Sequence, residues 1–302
     1  MTLTDTTIDV RHLGRETYVA SQLLATDAGP VLLDTGPGST LETLTAELGR
    51  LGVRIQDLHA ILLTHIHFDH AGATGLLVDQ NPNLVVYVHE LGAKHLISPA
   101  KLVASATRVF GADMDRLWGP FLPVPAAQVR PLVGGETIRV GNRRFDVLHT
   151  PGHAVHHVAY YDVADRTAYV GDCGGIRLPQ LPATMPVTPP PDFHLDDWLA
   201  SIDRIEAWAP RRLFSTHYGF HEDPPTQFAD LRRGLHEWTE AARRLLMEDL
   251  PDEVRADRFD EHVTHWLAGK ADPAAVQAAR EFSGFRASYH GLAWYWKKKL
   301  EL

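Results

Sequence analysis

The sequence predicts an α/β (α+β) fold, and three observations carry that prediction. Short β-like runs alternate with helix-like ones up to about residue 220. Several of the predicted strands end in His or Asp next to glycine, as a site on one sheet edge requires. After residue 225 the β pattern stops and the sequence reads as nearly all helical. The expected organisation is therefore a sheet-bearing domain over 1–225 and a helical C-terminal extension over 226–302.

YVASQLLA and PVLLDTG read as strands joined by the turn signal DAG. From Thr40 to Leu51 the spacing places Leu41, Leu44, Leu48 and Leu51 on one helical face, and Gly52 ends that helix. HAILLT (59–64) is a buried strand, with AGATGLLV as the next helix, and LVVYVH (84–89) is another strand. Residues 94–127 form a helical insertion rich in large apolar residues, suited to a lid, a subunit contact or an ordinary packed excursion. TIRV, RFDVLHT, HHVAYYD and TAYVGD continue the β pattern. A Pro-rich stretch (178–191) follows, then the amphipathic helix DDWLASIDRIEAW (196–208) and a last strand, RRLFSTH (211–217). LRRGLHEWTEAARRLLMEDL is the clearest helix of the C-terminal part.

Composition narrows the function classes. With 44% hydrophobic and 22% charged residues among 302, the chain has the balance of an ordinary globular protein. A formal net charge of −9 argues against a general binder of nucleic acid or anionic membranes. No apolar run approaches the roughly 20 residues that span a bilayer. The opening MTLTDTTIDVRHLGRE lacks the basic and apolar regions of a secretory signal, and the single cysteine, Cys173, suits a reducing compartment, so a cytoplasmic location is expected. Cys173 reads as a small packed residue.

The histidines, 18 in all, are concentrated where chemistry is expected. LTHIHFDH (63–70) places His65, His67, Asp69 and His70 directly behind a buried strand. In an extended loop, alternate side chains share a face, so an H-x-H pair can turn both imidazoles toward one point. Imidazole and carboxylate suit Zn²⁺ best, and Fe or Mn also. Three further strand ends each offer one ligand-type residue: His153 in HTPGH, Asp172 in YVGD and His217 in FSTHYG. No convincing Ser or Cys nucleophilic triad is present.

With these motifs in place, residues 8–220 clearly resemble the metallo-β-lactamase superfamily. The resemblance implies a four-layer αββα sandwich with a two-metal site on one sheet edge, here with the helical insertion and extension added. Carried over by position, His65, His67 and His153 bind one divalent ion, Asp69, His70 and His217 bind a second, and Asp172 bridges both. Asp34 in LLDTG matches a buried Asp that orients the ligand loop without binding metal. His157 matches an outer residue of the G-H-x-x-G-H stretch, here GHAVHH, in which His156 replaces Gly. Two ions about 3.5–4 Å apart can hold a bridging hydroxide that attacks a carbonyl, with Asp69 as a candidate general acid.

The expected function is hydrolysis of a small ester, thioester or lactone, closest to the glyoxalase II and N-acyl-homoserine lactonase branches. Class B1 β-lactamases would carry Arg in place of His70 and a Cys ligand, and subclass B3 lacks the bridging Asp. A specialised lactonase would carry Tyr three residues after the bridging Asp, where Gly175 stands, and the basic glutathione-binding residues of glyoxalase II have no recognisable counterpart. One alternative is a mononuclear iron persulfide dioxygenase using His65, His153 and Asp172. Another is a phosphodiesterase or nuclease, which the acidic charge disfavours. A small-molecule substrate is the expected partner, with neither nucleic acid nor membrane, and the apolar residues of 94–127 and of YHGLAWYW (289–296) are compatible with a homodimer. His89 and His95 read as structural, and His221 is a further residue within sequence reach of the site.

Overall fold

Strand pairing follows the apolar runs in a computed structural model that describes residues 3–301. Strands β1 (Thr6–Asp9), β2 (Ala20–Leu24), β3 (Val31–Leu33), β4 (Ala60–Leu62), β5 (Val85–His89) and β6 (Val129–Leu132) lie side by side in chain order. The β1–β2 and β2–β3 pairs are antiparallel, and pairing from β3 to β6 is parallel. The second sheet holds β7 (Thr137–Val140), β8 (Arg143–His149), β9 (Val158–Asp162), β10 (Thr167–Tyr169), β11 (Arg212–Ser215) and β12 (Gly219–His221), again in chain order. Only its β10–β11 pair is parallel.

Parallel neighbours need a crossover, and the helices supply it. α1 (Leu41–Arg50) joins β3 to β4, and α2 (Phe68–Ala71) with α3 (Thr74–Gln80) joins β4 to β5. α4 (Glu90–Ile97), α5 (Ala100–Phe110) and α6 (Met114–Leu117) lie between β5 and β6, and α7 (Leu195–Glu206) between β10 and β11. Alternate residues of each strand serve two cores. Leu33, Leu62, Phe145, Val147, Tyr160 and Phe214 fill the space between the sheets. Leu32 and Ile61 face outward into a cluster with Leu44, Leu48 and Leu77, and Ala159, Ala168 and Leu213 share that cluster with Trp198 and Ile202. The layers are therefore helix, sheet, sheet, helix.

Three strands escape the sequence pattern. β1 buries only Ile8, β6 contains Pro131, which suits an edge strand, and β12 is three residues long. The insertion starts at Glu90, earlier than its apolar texture suggests, and ends as helix at Leu117. α5 buries only Ala106, so most of its apolar residues face outward.

Helices α8 (Pro224–Leu246), α9 (Asp252–Ala268), α10 (Pro273–Ser283) and α11 (Phe285–Lys299) pack around Trp238, whose ring lies edge-on to Phe259 and Phe285 at 5.9 and 5.5 Å. Asp223 and Asp272 cap α8 and α10, each followed by Pro in the first turn. The helices are fastened to the sandwich at defined points. The amide of Gln227 donates to Gly174 O, Arg177 pairs with Asp230, the Tyr18 hydroxyl donates to Ala278 O, and the Thr188 hydroxyl donates to Ser288 O.

Gly291 marks the closest of these approaches: a Cβ there would lie 1.9 Å from the carbonyl oxygen of Thr188. Gly291→Ala must push α11 off the 178–191 stretch, and we expect a stability loss of about 1–3 kcal/mol. Gly49→Ala, on an open helix face with nothing within 4 Å of the added methyl, should instead gain about 0.5–1 kcal/mol. Thermal or urea unfolding of the two variants checks the opposite signs.

Candidate metal centre

The site begins with a buried carboxylate. β3 and β4 run in parallel register and end at the same level. Asp34, directly after β3, has a left-handed φ of 51°, which Asp tolerates better than most residues. Its carboxylate is wholly buried and takes four hydrogen bonds. Oδ1 accepts from the backbone N–H of Thr64 at 2.8 Å. Oδ2 accepts from the hydroxyls of Thr64 and Thr216, both at 2.8 Å, and from His70 Nδ1 at 2.7 Å.

The ligand loop is then clamped between the sheets. Leu63 O accepts from the Tyr160 hydroxyl at 2.8 Å, and Thr64 O from the backbone N–H of Val158 at 2.8 Å. His67, in extended conformation, starts α2, whose single turn presents Asp69 and His70. His153 follows Gly152, whose φ is 131° and whose missing Cβ would stand 2.3 Å from the Trp198 backbone, so only glycine lets that turn rest on α7. Asp172 sits in a short turn, Gly171–Gly174, after β10, and His217 lies two residues beyond β11.

The seven ligand-type residues predicted from the sequence converge at the edge where these strands end. His67 Nδ1 lies 2.9 Å from both His65 Nε2 and His153 Nε2. His217 Nε2 is 3.3 Å from Asp69 Oδ2, and His70 Nε2 is 3.8 Å from the same oxygen. Asp172 stands between the two groups. Its Oδ2 is 3.3 Å from His153 Nε2, and its Oδ1 is 3.1 Å from His70 Nε2 and 3.4 Å from His217 Nε2. Three sets of atoms are close enough to share an ion: His65, His67 and His153; His65, His70 and Asp172; and Asp69, His70 and His217.

Outer contacts aim the rings. Nδ1 of His153 donates to Val187 O at 2.7 Å, Nδ1 of His217 to Tyr18 O at 2.7 Å, and Nδ1 of His70 to Asp34. With Nδ1 committed as a donor, each Nε2 is left facing the centre, where it offers a lone pair once deprotonated. Burial, reinforced by the neighbouring imidazoles, holds His65 well below the usual histidine range and His67 at about 3. Burial also lowers His153. It would lower His70 and His217 too, but the carboxylates of Asp172 and Asp69 outweigh it and raise both, with Asp34 adding to the effect at His70. Asp172 and Asp69 are pulled below the carboxylate range in turn, against burial, by His70 and His217. His70 Nε2 and Asp172 Oδ1, buried and facing one another, have no hydrogen-bond partner. Positive charge holds that pair together, as a proton on His70 or a cation in its place, and a donor set of five imidazoles and two carboxylates fits divalent cations.

His157 hydrogen-bonds none of the seven. Its Nδ1 lies 2.7 Å from the Thr150 hydroxyl and its Nε2 accepts from the Cys173 backbone N–H at 3.4 Å, so it joins the turn of His153 to that of Asp172. Cys173 is buried, and burial together with Asp172 pushes its thiol far up, which leaves it inert. His221 stays outside this group: burial, helped by Arg177, lowers it to about 4, and its Nε2 has no partner. His89 stacks on His149 at 4.2 Å. His95 is lowered by burial, with Lys94 and Lys101 adding to it.

Several residues around the site lack a sequence signature. Tyr18 and Val187 act through backbone oxygens. Thr64 and Thr216 did carry a signal, a Thr-His dipeptide repeated at two strand ends. His156 stacks on His65 at 6.1 Å and meets His67 edge-on at 5.5 Å. His12, from the β1–β2 loop, stacks on Trp118 of the insertion, and Phe68 touches both Trp118 and Phe121. On the other side Phe282 of α10 lies 5.2 Å from the ring of His217.

Known proteins agree with this architecture. The sequence profile of the metallo-beta-lactamase superfamily matches residues 14–256. A hydroxyacylglutathione hydrolase of Legionella pneumophila (strain Paris) is 28% identical over 115 residues, covering 38% of this chain, and the chain spans only about a third (33%) of that relative's length. The solved structure of the metallo-beta-lactamase family protein TTHA1429 of Thermus thermophilus superposes with a TM-score of 0.70 at 22% identity, over 99% of this chain and 94% of its own. TTHA1623, solved in a di-iron-bound form, gives a TM-score of 0.53 at 32% identity, over 70% of this chain and 93% of its own. The chain belongs to the metallo-β-lactamase superfamily.

Proposed function

We propose that the protein is a dinuclear metal-dependent hydrolase of a small ester, thioester or lactone. The observation that carries this reading is the split carboxylate of Asp172, with one oxygen toward His153 and the other toward His70 and His217. In this reading His65, His67 and His153 would hold one ion, Asp69, His70 and His217 the other, and Asp172 would serve both. The di-iron form of TTHA1623 supports two ions, and the hydroxyacylglutathione hydrolase supports acyl-group hydrolysis. A pair of divalent cations supplies a Lewis acid for the scissile carbonyl and lowers the pKa of water enough for attack at neutral pH.

The residues of the chain supply the rest. Asp34 fixes the ring of His70, Val187 O that of His153, and Tyr18 O that of His217. Asp69, whose Oδ2 lies 3.3 Å from His217 Nε2, is the carboxylate of the set that would relay a proton to the leaving group. Phe68, Phe121 and Trp118 pack together beside the ligand loop, an apolar cluster suited to the carbon skeleton of an acyl compound. No described helix is long and apolar enough to cross a membrane.

Metal analysis paired with a panel of esters, thioesters and lactones tests the reading. About two ions per chain and a loss of hydrolysis of at least a hundredfold on chelation or in Asp172→Ala are expected. A single iron with oxygen uptake, or activity untouched by chelation, would overturn it.

Metal uptake should also release protons. His70 and His217 have raised pKa values and are protonated below them, so a cation must displace those protons and its affinity must fall as pH falls. Calorimetric titration in buffers of different ionisation enthalpy reads the proton count, which should rise as pH falls.

Asp34→Asn keeps the shape of the side chain but replaces one accepting oxygen by a donor. We expect metal affinity to drop about 10–100-fold, measured by competition with a chromogenic chelator, with hydrolysis falling in parallel at limiting metal.

A further inference from the structure

Two backbone oxygens aim ligand histidines, and each is tied to a different helix of the C-terminal extension. Tyr18 O accepts from His217 Nδ1 and Val187 O from His153 Nδ1, both at 2.7 Å. Neither carbonyl lies in a strand: Tyr18 precedes β2, and Val187 belongs to the Pro-rich stretch. Outside a ladder a peptide group can tilt, so an oxygen that must point one way needs its residue tied down by other means.

For Tyr18 the tie is its own side chain, which is buried. The hydroxyl donates to Ala278 O at 3.1 Å and accepts from the Arg15 guanidinium at 3.1 Å, and Arg15 in turn pairs with Glu281. The ring lies against Phe282 with centroids 4.5 Å apart, and Phe282 also meets the ring of His217 at 5.2 Å. Ala278, Glu281 and Phe282 all belong to α10. One residue therefore grips α10 with its side chain and His217 with its backbone. For Val187 the tie is its neighbour. The hydroxyl of Thr188, a residue 1% exposed, donates to Ser288 O at 3.1 Å, and Gly291 admits the Thr188 carbonyl against the helix. Ser288 and Gly291 both belong to α11.

We propose that the extension sets the affinities of the two ions separately: α10, through Tyr18, governs the His217 half of the centre, and α11, through Thr188, governs the His153 half. This rests on the two-ion reading of the site. Tyr18 and Thr188 are then positioning residues, each acting through one carbonyl on one imidazole. Support that merely stiffened the fold would act on both halves alike, whereas these two ties reach different histidines through different helices.

The test uses the full chain and Zn²⁺ alone, with affinities from calorimetric titration and ¹⁵N signals of labelled histidine rings to show which set has lost its ion. Tyr18→Phe keeps the ring against Phe282 and removes only the hydroxyl, and Thr188→Val keeps the shape and removes only the donor to Ser288. We expect each to weaken one ion about 2–10-fold and to spare the other. The loss should show at His70 and His217 in Tyr18→Phe and at His153 in Thr188→Val. Tyr18→Leu, which removes the ring contact as well, should weaken the His217 half about 10–100-fold. Unchanged zinc affinity in either Tyr18→Phe or Thr188→Val overturns the proposal, and so does weakening of both ions alike or of the same ion by both variants. Wild-type stoichiometry keeps the two failures apart. A wild-type chain that takes up only one zinc ion sinks the two-ion reading and the proposal with it, while two ions with no separate response sink the proposal alone.

Discussion

The carboxylate of Asp34 is the constraint on which the site depends. It receives hydrogen bonds from Thr64 and His70 of the ligand loop and from Thr216 beside His217. One side chain thereby locks the ends of β3, β4 and β11, which belong to different sheets. A buried carboxylate with four donors is satisfied in place. With any one of them missing, the desolvation of the others would count against the fold. This explains why so polar a group sits where two parallel strands end among apolar neighbours. It also sets the aim of His70, whose other nitrogen faces Asp172.

Electrostatically the two halves of the centre differ. His65, His67 and His153 are crowded, buried and driven neutral by burial and by one another, so that half presents lone pairs and no charge of its own. The half around Asp69 and Asp172 is acidic enough to raise the pKa of both His70 and His217. Protons can balance the second half but leave the first a cluster of dipoles aimed at one point. A cation satisfies both, because Asp172 lends one oxygen to each half. Histidines packed within 5 Å of one another behind a buried strand are otherwise hard to reconcile with the penalty for burying unpaired polar groups.

What was legible in the sequence follows from which atoms do the work. Side chains that act through their own chemistry announce themselves: H-x-H-x-D-H behind HAILLT, and single His or Asp residues at later strand ends. β3 and β4 were equally plain, because both their faces are buried and they read as unbroken apolar runs. β1, β6 and β12 bury few side chains and were not legible, since their pairing rests on backbone hydrogen bonds that any residue can make. For the same reason Tyr18 and Val187 were invisible, as carbonyl oxygens carry no residue identity. His12 sits in no motif. Its stacking on Trp118, more than a hundred residues away, is a tertiary contact that no local pattern announces.

The helical extension is part of the same argument. The turn of Asp172 is backed by α8, through Gln227 on Gly174 O and Leu231 against Gly175. The oxygen that aims His153 belongs to Val187, in a Pro-rich stretch whose only strand-like pairing is the Ile176–Met185 bridge. That stretch has little internal structure to fix its carbonyls, and α11 fixes them from outside, through Ser288 and the close approach of Gly291 to Thr188. α10 meanwhile sets Phe282 against both His217 and Tyr18. A motif at the end of a strand can gather ligands, but holding them to within a few tenths of an ångström needs packing behind every turn that carries one. Here much of that packing comes from residues beyond 224, so the sandwich and its extension build one site together.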